Sequence, residues 1–222
     1  MQELVTLRNR ASCIRRQSHM DTPNRCHIDS NWWYSYPVQD FDYKYNSFGF
    51  RGNDYTQYQG CPVNICLGDS FTENLGGPVE YSWPNQLAQN FNIPTLNLGV
   101  NGAGNDAISV INAWAKEYFS VQSTFVMYSF LHRRLKDGEF TQDVFDIDTN
   151  IAYFIKYRIP NAYECTLAAK LLQEDEYLFM KSKNIFCIKD YNPNRDGHHM
   201  NQQTNKIYAD YLYNQWKQHN ES

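Results

Sequence analysis

From about position 62 onward the chain alternates between two apolar patterns. Short, nearly unbroken apolar runs predict buried strands at 63–67 (Val63-Asn64-Ile65-Cys66-Leu67), 94–98, 124–130 and 184–188. Between them, apolar residues recur at helical spacing. One such stretch begins at Ser82-Trp83-Pro84, with Ser82 as cap, Pro84 in the first turn, and Trp83, Leu87, Ala88 and Phe91 on its apolar face. A second covers 105–118 through Ile108, Ile111, Ala115 and Tyr118. A third covers 163–183 through Leu167, Leu171, Leu178 and Phe179, and a closing helix over 203–216 carries Ile207, Tyr211 and Leu212. Residues 131–163 mix charge, glycine and aromatics and read as an elaborated connection over the strand ends. Alternation of this kind predicts a three-layer α/β/α sandwich around a central, mostly parallel sheet.

The first 45 residues break the pattern. They are polar and arginine-bearing at first, then aromatic: Trp32-Trp33-Tyr34-Ser35-Tyr36-Pro37, followed by Phe41, Tyr43 and Tyr45. They are read as an N-terminal extension (1–45) attached to a single domain (46–222). Its rings either pack over that domain or present an aromatic surface to a substrate.

The balance of 20 Lys+Arg against 24 Asp+Glu gives a formal charge of −4. With no basic run interleaved with aromatics, nothing points to a nucleic-acid partner. No segment approaches the roughly 20 apolar residues of a membrane-spanning helix. Met1 to Met20 holds four arginines and no apolar centre, unlike a secretory signal, so a soluble, cytoplasmic protein is the expectation. The six cysteines, at 13, 26, 61, 66, 165 and 187, match neither zinc-site spacing nor a small disulfide framework. Cys66 and Cys187 lie in apolar runs, where a free thiol behaves as a small hydrophobe.

Chemistry concentrates at the ends of the predicted strands, where open α/β sheets bind ligands. Leu67-Gly68-Asp69-Ser70 puts a hydroxyl just past the first strand. Such a serine becomes a nucleophile only with a base in reach, and Asp196-Gly197-His198-His199 offers one. Asp69 reads as structural, its carboxylate accepting backbone N–H groups of the turn. Arg51 is a loop anchor or a carboxylate binder. No phosphate-binding glycine motif is present.

Gly68-Asp69-Ser70, then Asn97-Leu98-Gly99-Val100-Asn101-Gly102, then Asp196-Gly197-His198-His199 occur in the order seen in the SGNH/GDSL hydrolases, which the chain resembles from about 46 to 217. Asn46-Ser47-Phe48-Gly49-Phe50-Arg51-Gly52 also looks like a lead-in to that family's first strand. The resemblance implies a flavodoxin-like SGNH fold and a serine esterase with Ser70 as nucleophile, His199 as base and Asp196 orienting the imidazole. His198 is the rival base. It further implies an oxyanion hole of the Ser70 and Gly99 amides plus an asparagine side chain after the third strand.

Here the chain departs from the family, which commonly has GxND. The third strand ends Tyr128-Ser129-Phe130-Leu131-His132-Arg133-Arg134, and Leu131 near the asparagine's place has no side-chain donor. Asn105 is a candidate for that role or a helix cap. Ser129, His132 and Arg133 are candidates for the missing donor or for binding an acidic substrate group. The implied reaction needs no cofactor and no metal. The implied substrate is a small-molecule, lipid or glycan ester, acetyl esters included. Two other readings share these residues: an acyltransferase to a sugar hydroxyl, and a catalytically weak glycan-binding or structural relative.

Overall fold

The computed structural model describes residues 14–15, 43–143, 145–194 and 198–221. Most of the expected N-terminal extension, including Trp32 and Trp33, and the candidate Asp196 lie outside the described residues.

A short antiparallel ladder joins β1 (Ile14–Arg15) to β2 (Tyr43–Lys44). The central sheet contains β3 (Pro62–Gly68), β4 (Thr95–Gly99), β5 (Ser120–Tyr128) and β8 (Tyr163–Thr166), all parallel, in the order β4-β3-β5-β8. Between β5 and β8 the chain makes an antiparallel hairpin, β6 (Arg133–Lys136) and β7 (Glu139–Gln142). The helices are α1 (Ser70–Glu73), α2 (Trp83–Ala88), α3 (Asn105–Tyr118), α4 (Ile147–Tyr157), α5 (Glu174–Ser182) and α6 (Gln202–Asn220).

Strand side chains alternate between two cores, as a pleated strand requires. Ile65, Leu67, Val126 and Tyr128 join Ile108 and Ile111 of α3 and Phe154 of α4 on one face. Cys66, Phe125 and Met127 join Trp83 and Leu87 of α2 and Tyr208 and Leu212 of α6 on the other. With both faces covered, the central strands have no solvent side, which explains their continuous apolar reading. The three-layer α/β/α sandwich is the observed fold.

The 163–183 stretch is not one helix. Tyr163–Thr166 is the edge strand β8, paired with β5 from Phe125↔Tyr163 to Tyr128↔Thr166. A single 3-10 turn follows at Ala169–Leu171, and only then comes α5. The leucine spacing mimicked a helix, yet Leu178 is 52% exposed, while Cys165 and Thr166 are buried as a strand's inner residues are. The strand expected at 184–188 is reduced to one parallel bridge, Cys165↔Phe186, with Thr166 N–H donating to the Phe186 carbonyl at 2.8 Å.

In α6 the inward stripe is Thr204, Tyr208 and Leu212, and Ile207 lies outside it, half exposed. The 131–163 connection carries an unanticipated hairpin whose tip, Asp137-Gly138, is left-handed at both positions (φ 51° and 80°). Asp-Gly is the dipeptide that such two-residue turns demand.

Leu67 is fully buried at the centre of the sheet. Leu67→Ala is expected to cost about 2–5 kcal/mol, through lost burial plus a cavity that close-packed strands cannot collapse. A lowered urea midpoint at unchanged slope is the measurement that checks it.

Candidate active site

β3 and β4 end level with each other, Gly68 beside Gly99, at the carboxyl edge of the sheet. The chain turns sharply after Gly68 into α1, whose first residue is Ser70. Only glycine fits here. A Cβ on Gly68 would lie 2.0 Å from Thr72 Oγ1 and 2.9 Å from the Met127 carbonyl oxygen. Asp69 has no exposed surface, and its carboxylate is fully employed. One oxygen accepts from the Phe71 N–H at 3.0 Å; the other accepts from Ser129 Oγ and from Arg133 Nη1, each at 2.7 Å. Asp69 thus caps the turn, as its sequence context implied, and also holds two groups from beyond β5.

The far end of α1 is anchored as tightly. Arg51, 1% exposed, donates to the carbonyls of Glu73, Asn74 and Gly77, so it is a loop anchor. The buried Glu73 carboxylate accepts from Tyr45 Oη at 2.8 Å and from the Asn101 N–H at 2.7 Å. That second bond fixes the turn after β4 against the turn that carries Ser70. No signal in the sequence marked Glu73, and Tyr45 is legible only as one ring of the aromatic stretch, because their bond joins positions 28 apart.

The turn after β4 revises one expectation. The Gly99 N–H donates to Asn97 Oδ1 at 2.9 Å, and Asn97 Nδ2 donates to the Thr72 carbonyl at 2.9 Å. The Gly99 amide is therefore committed within the scaffold rather than presented to a ligand. Val100 N–H goes to the Gly68 carbonyl, Asn101 N–H to Glu73, and Ala103 N–H to the Val100 carbonyl. Gly102, left-handed at φ 84°, carries the amide of this turn that has no partner among the described residues.

Asn105 is neither the cap nor a ligand-facing amide. Gly104 occupies the cap position of α3. The Asn105 side chain accepts from the Ser129 N–H at 2.9 Å and donates to the Ser129 carbonyl at 3.1 Å, which pins the end of β5. Ser129 itself is fully buried and spends its hydroxyl on Asp69, so it is not a substrate-facing group.

The histidines arrive from the other end of the chain. His199 is 3% exposed, and its ring centroid stands 4.7 Å from that of Phe71, the residue after Ser70. His198 lies 5.4 Å from the same ring. Their segment is held by hydrogen bonds from Tyr191 Oη to the His198 carbonyl and from the Asn194 N–H to the His199 carbonyl. Asn201 then caps α6 by accepting from the Thr204 N–H at 3.0 Å. Among the described residues Ser70 Oγ has no hydrogen-bond partner, so the two groups are neighbours through Phe71 without being bonded. Ser70 is 2% exposed.

The hairpin covers the site's other flank. Phe140 of β7 sits where a Cβ on Gly102 would point, at 3.2 Å, and the Arg133 carbonyl lies 2.7 Å from a Cβ built on Gly104. His132 faces a cavity of about 210 Å³ with Leu131, Gln142, Asn150 and Glu176. Burial, then the charges of Arg133 and Arg134, lower the His132 pKa. Burial raises that of Glu176, which accepts the Leu131 N–H at 2.6 Å. Among the described residues no cluster of three or more His, Cys, Asp or Glu is arranged to hold a metal ion. No helix there is long and apolar enough to cross a membrane. Cys66 and Cys165 are buried free thiols.

No family model and no curated protein matches the chain. Among solved structures it is similar to a protein assigned to the G-D-S-L lipolytic family from Desulfitobacterium hafniense DCB-2. That alignment has 17% identity and a TM-score of 0.44, and covers 69% of this chain and 98% of that one. It is also similar to the psychrotrophic esterase EstA from a Pseudoalteromonas species (16%, 0.43, 72% and 99%). A third likeness is to a carbohydrate acetylesterase family member from Sinorhizobium meliloti (10%, 0.42, 71% and 97%). At these values the likeness is one of overall layout.

Two outcomes are expected. A Cβ on Gly99 would lie 2.4 Å from the Glu73 backbone nitrogen, so Gly99→Ala should destabilise by about 1–3 kcal/mol in urea titration. For His132, the lowered folded pKa means that the unfolded chain takes up the proton more readily. Its contribution to stability is complete above the ordinary value of 6.5 and is lost as pH falls from there toward the folded value. His132→Gln should flatten that part of a Tm-against-pH curve.

Proposed function

We propose that the chain is a serine ester hydrolase of the SGNH type, acting on a small acyl ester, acetyl esters included. The observation that carries this reading is the pairing of a buried Ser70 on a glycine-enabled strand-end turn with His199 packed on the next residue's ring. A serine is a weak nucleophile until a base removes its proton, and burial beside an imidazole supplies both the base and a place that excludes bulk water.

In this mechanism Ser70 Oγ attacks the ester carbonyl carbon while its proton passes to the His199 imidazole. The carbonyl π pair moves onto oxygen, giving a tetrahedral oxyanion. Collapse breaks the bond to the alkoxy oxygen, which leaves as an alcohol with the proton returned by His199. Water then repeats the sequence on the acyl-enzyme. Asp196 is proposed to hold the imidazole in the right tautomer. The oxyanion is received by the Ser70 amide and by the amide of Gly102, which takes the role first given to Gly99 because the Gly99 N–H is already bonded to Asn97.

With p-nitrophenyl acetate, Ser70→Ala should lower kcat by about 10⁴-fold or more. A fluorophosphonate should label the wild-type serine and not the variant. Turnover by Ser70→Ala comparable to that of the wild type would sink the assignment.

A further inference from the structure

Arg133 touches both turns on which the proposed chemistry depends. Its guanidinium Nη1 donates to Asp69 Oδ2 at 2.7 Å and to Ser129 Oγ at 3.1 Å, which places the group beside the residue that precedes Ser70. Its own carbonyl oxygen packs against Gly104, two residues beyond the unpartnered Gly102 amide. The guanidinium also lies over the Phe130 ring, 4.7 Å from its centroid. It is therefore held on one edge by a carboxylate, on one face by an aromatic ring, and at the backbone by the turn it adjoins.

A guanidinium has five N–H donors in a fixed plane, and only Nη1 is used here. Nε and Nη2 have no partner among the described residues, and the side chain retains 12% exposure. Arg133 thus presents a fixed pair of donors, and its charge is already offset by Asp69. Such a group gains little from a neutral ester carbonyl but much from an oxygen that acquires negative charge. That difference between ground and transition state is what accelerates a reaction.

Resting on the hydrolase reading above, we propose that Arg133 is a catalytic residue: its free Nε/Nη2 edge donates to the tetrahedral oxyanion formed when Ser70 attacks, as the third donor beside the Ser70 and Gly102 amides. As the carbon–Oγ bond forms, the carbonyl π pair becomes an oxygen lone pair that accepts from the guanidinium. When the alkoxy bond breaks, that pair re-forms the carbonyl. Arg133 neither gains nor loses a proton.

The test is Arg133→Lys in the full chain. Lysine keeps the charge for Asp69, so the fold is retained, as circular dichroism and Tm will check. Its single ammonium cannot bond Asp69 and also present a second, planar donor edge. For p-nitrophenyl acetate the expected result is a fall in kcat of about 10²–10³-fold, the usual effect of losing one oxyanion donor, with KM changed less than about threefold. Millimolar guanidinium chloride should restore part of the activity of Arg133→Ala, which a purely structural role would not allow. If Arg133→Ala fails to fold, the lysine variant decides alone.

Retention of wild-type kcat by Arg133→Lys overturns the proposal. So does a loss confined to KM for a carboxylate-bearing ester such as p-nitrophenyl hemisuccinate, which would make Arg133 an anion-binding group instead. An uncharged fluorophosphonate separates the two levels of the argument. No labelling of wild-type Ser70 defeats the hydrolase reading itself. Labelling of Arg133→Lys at the wild-type rate defeats only the role of Arg133.

Discussion

The carboxylate of Asp69 is the interaction on which the site depends. A carboxylate with no exposed surface must be met by donors on both oxygens, or its burial would cost several kcal/mol. Here the donors come from three places: the Phe71 amide of its own turn, the Ser129 hydroxyl at the end of β5, and the Arg133 guanidinium at the base of the hairpin. Meeting the electrostatic demand of one side chain therefore fixes the turn that carries Ser70, the central strand end and the start of the flanking hairpin relative to one another. Asn105 completes the arrangement by taking both backbone groups of Ser129, so the strand end cannot rotate away.

Glu73 does for the second turn what Asp69 does for the first. Four residues on, at the last position of α1, it binds the Asn101 amide and the Tyr45 hydroxyl. The short helix thus carries a buried acid at each end, and each acid recruits a different neighbouring segment. Arg51 seals the outer side by donating to three carbonyls at and just past the helix end. Ser70 sits between these fixed points, and little of its position is left to the loop's own preferences.

Legibility from sequence follows the range of the interactions. β3, β4 and β5, and the start of α2 at Ser82, were readable because apolar runs and caps are local signals; Ser82 Oγ accepts the Asn85 N–H at 3.2 Å. The misreading of 163–183 has a clear cause: Leu167 and Leu171 have helical spacing, but Tyr163–Thr166 gains more by pairing with β5 than an isolated turn of helix would provide. The hairpin tip Asp137-Gly138 is a local turn signal, but the charged residues on either side hide the strand alternation that would frame it. The motifs single out Ser70 and His199, which the structure brings near each other across Phe71, but cannot show that Gly99 is spent on Asn97, or Asn105 on Ser129. Both facts are set by hydrogen-bond partners that no spacing rule encodes.

The hairpin separates two properties that a single loop would have to combine. Its base is nailed down through Arg133, while its tip at Asp137-Gly138 is a two-residue turn on the far side, with Asp137 exposed. A two-stranded ribbon owes its order to what it is fastened to. Lengthening or recolouring the tip therefore leaves the Arg133–Asp69 contact at its base in register. The constraint on the ribbon lies at its root, where Arg133 meets Asp69, and not at its tip.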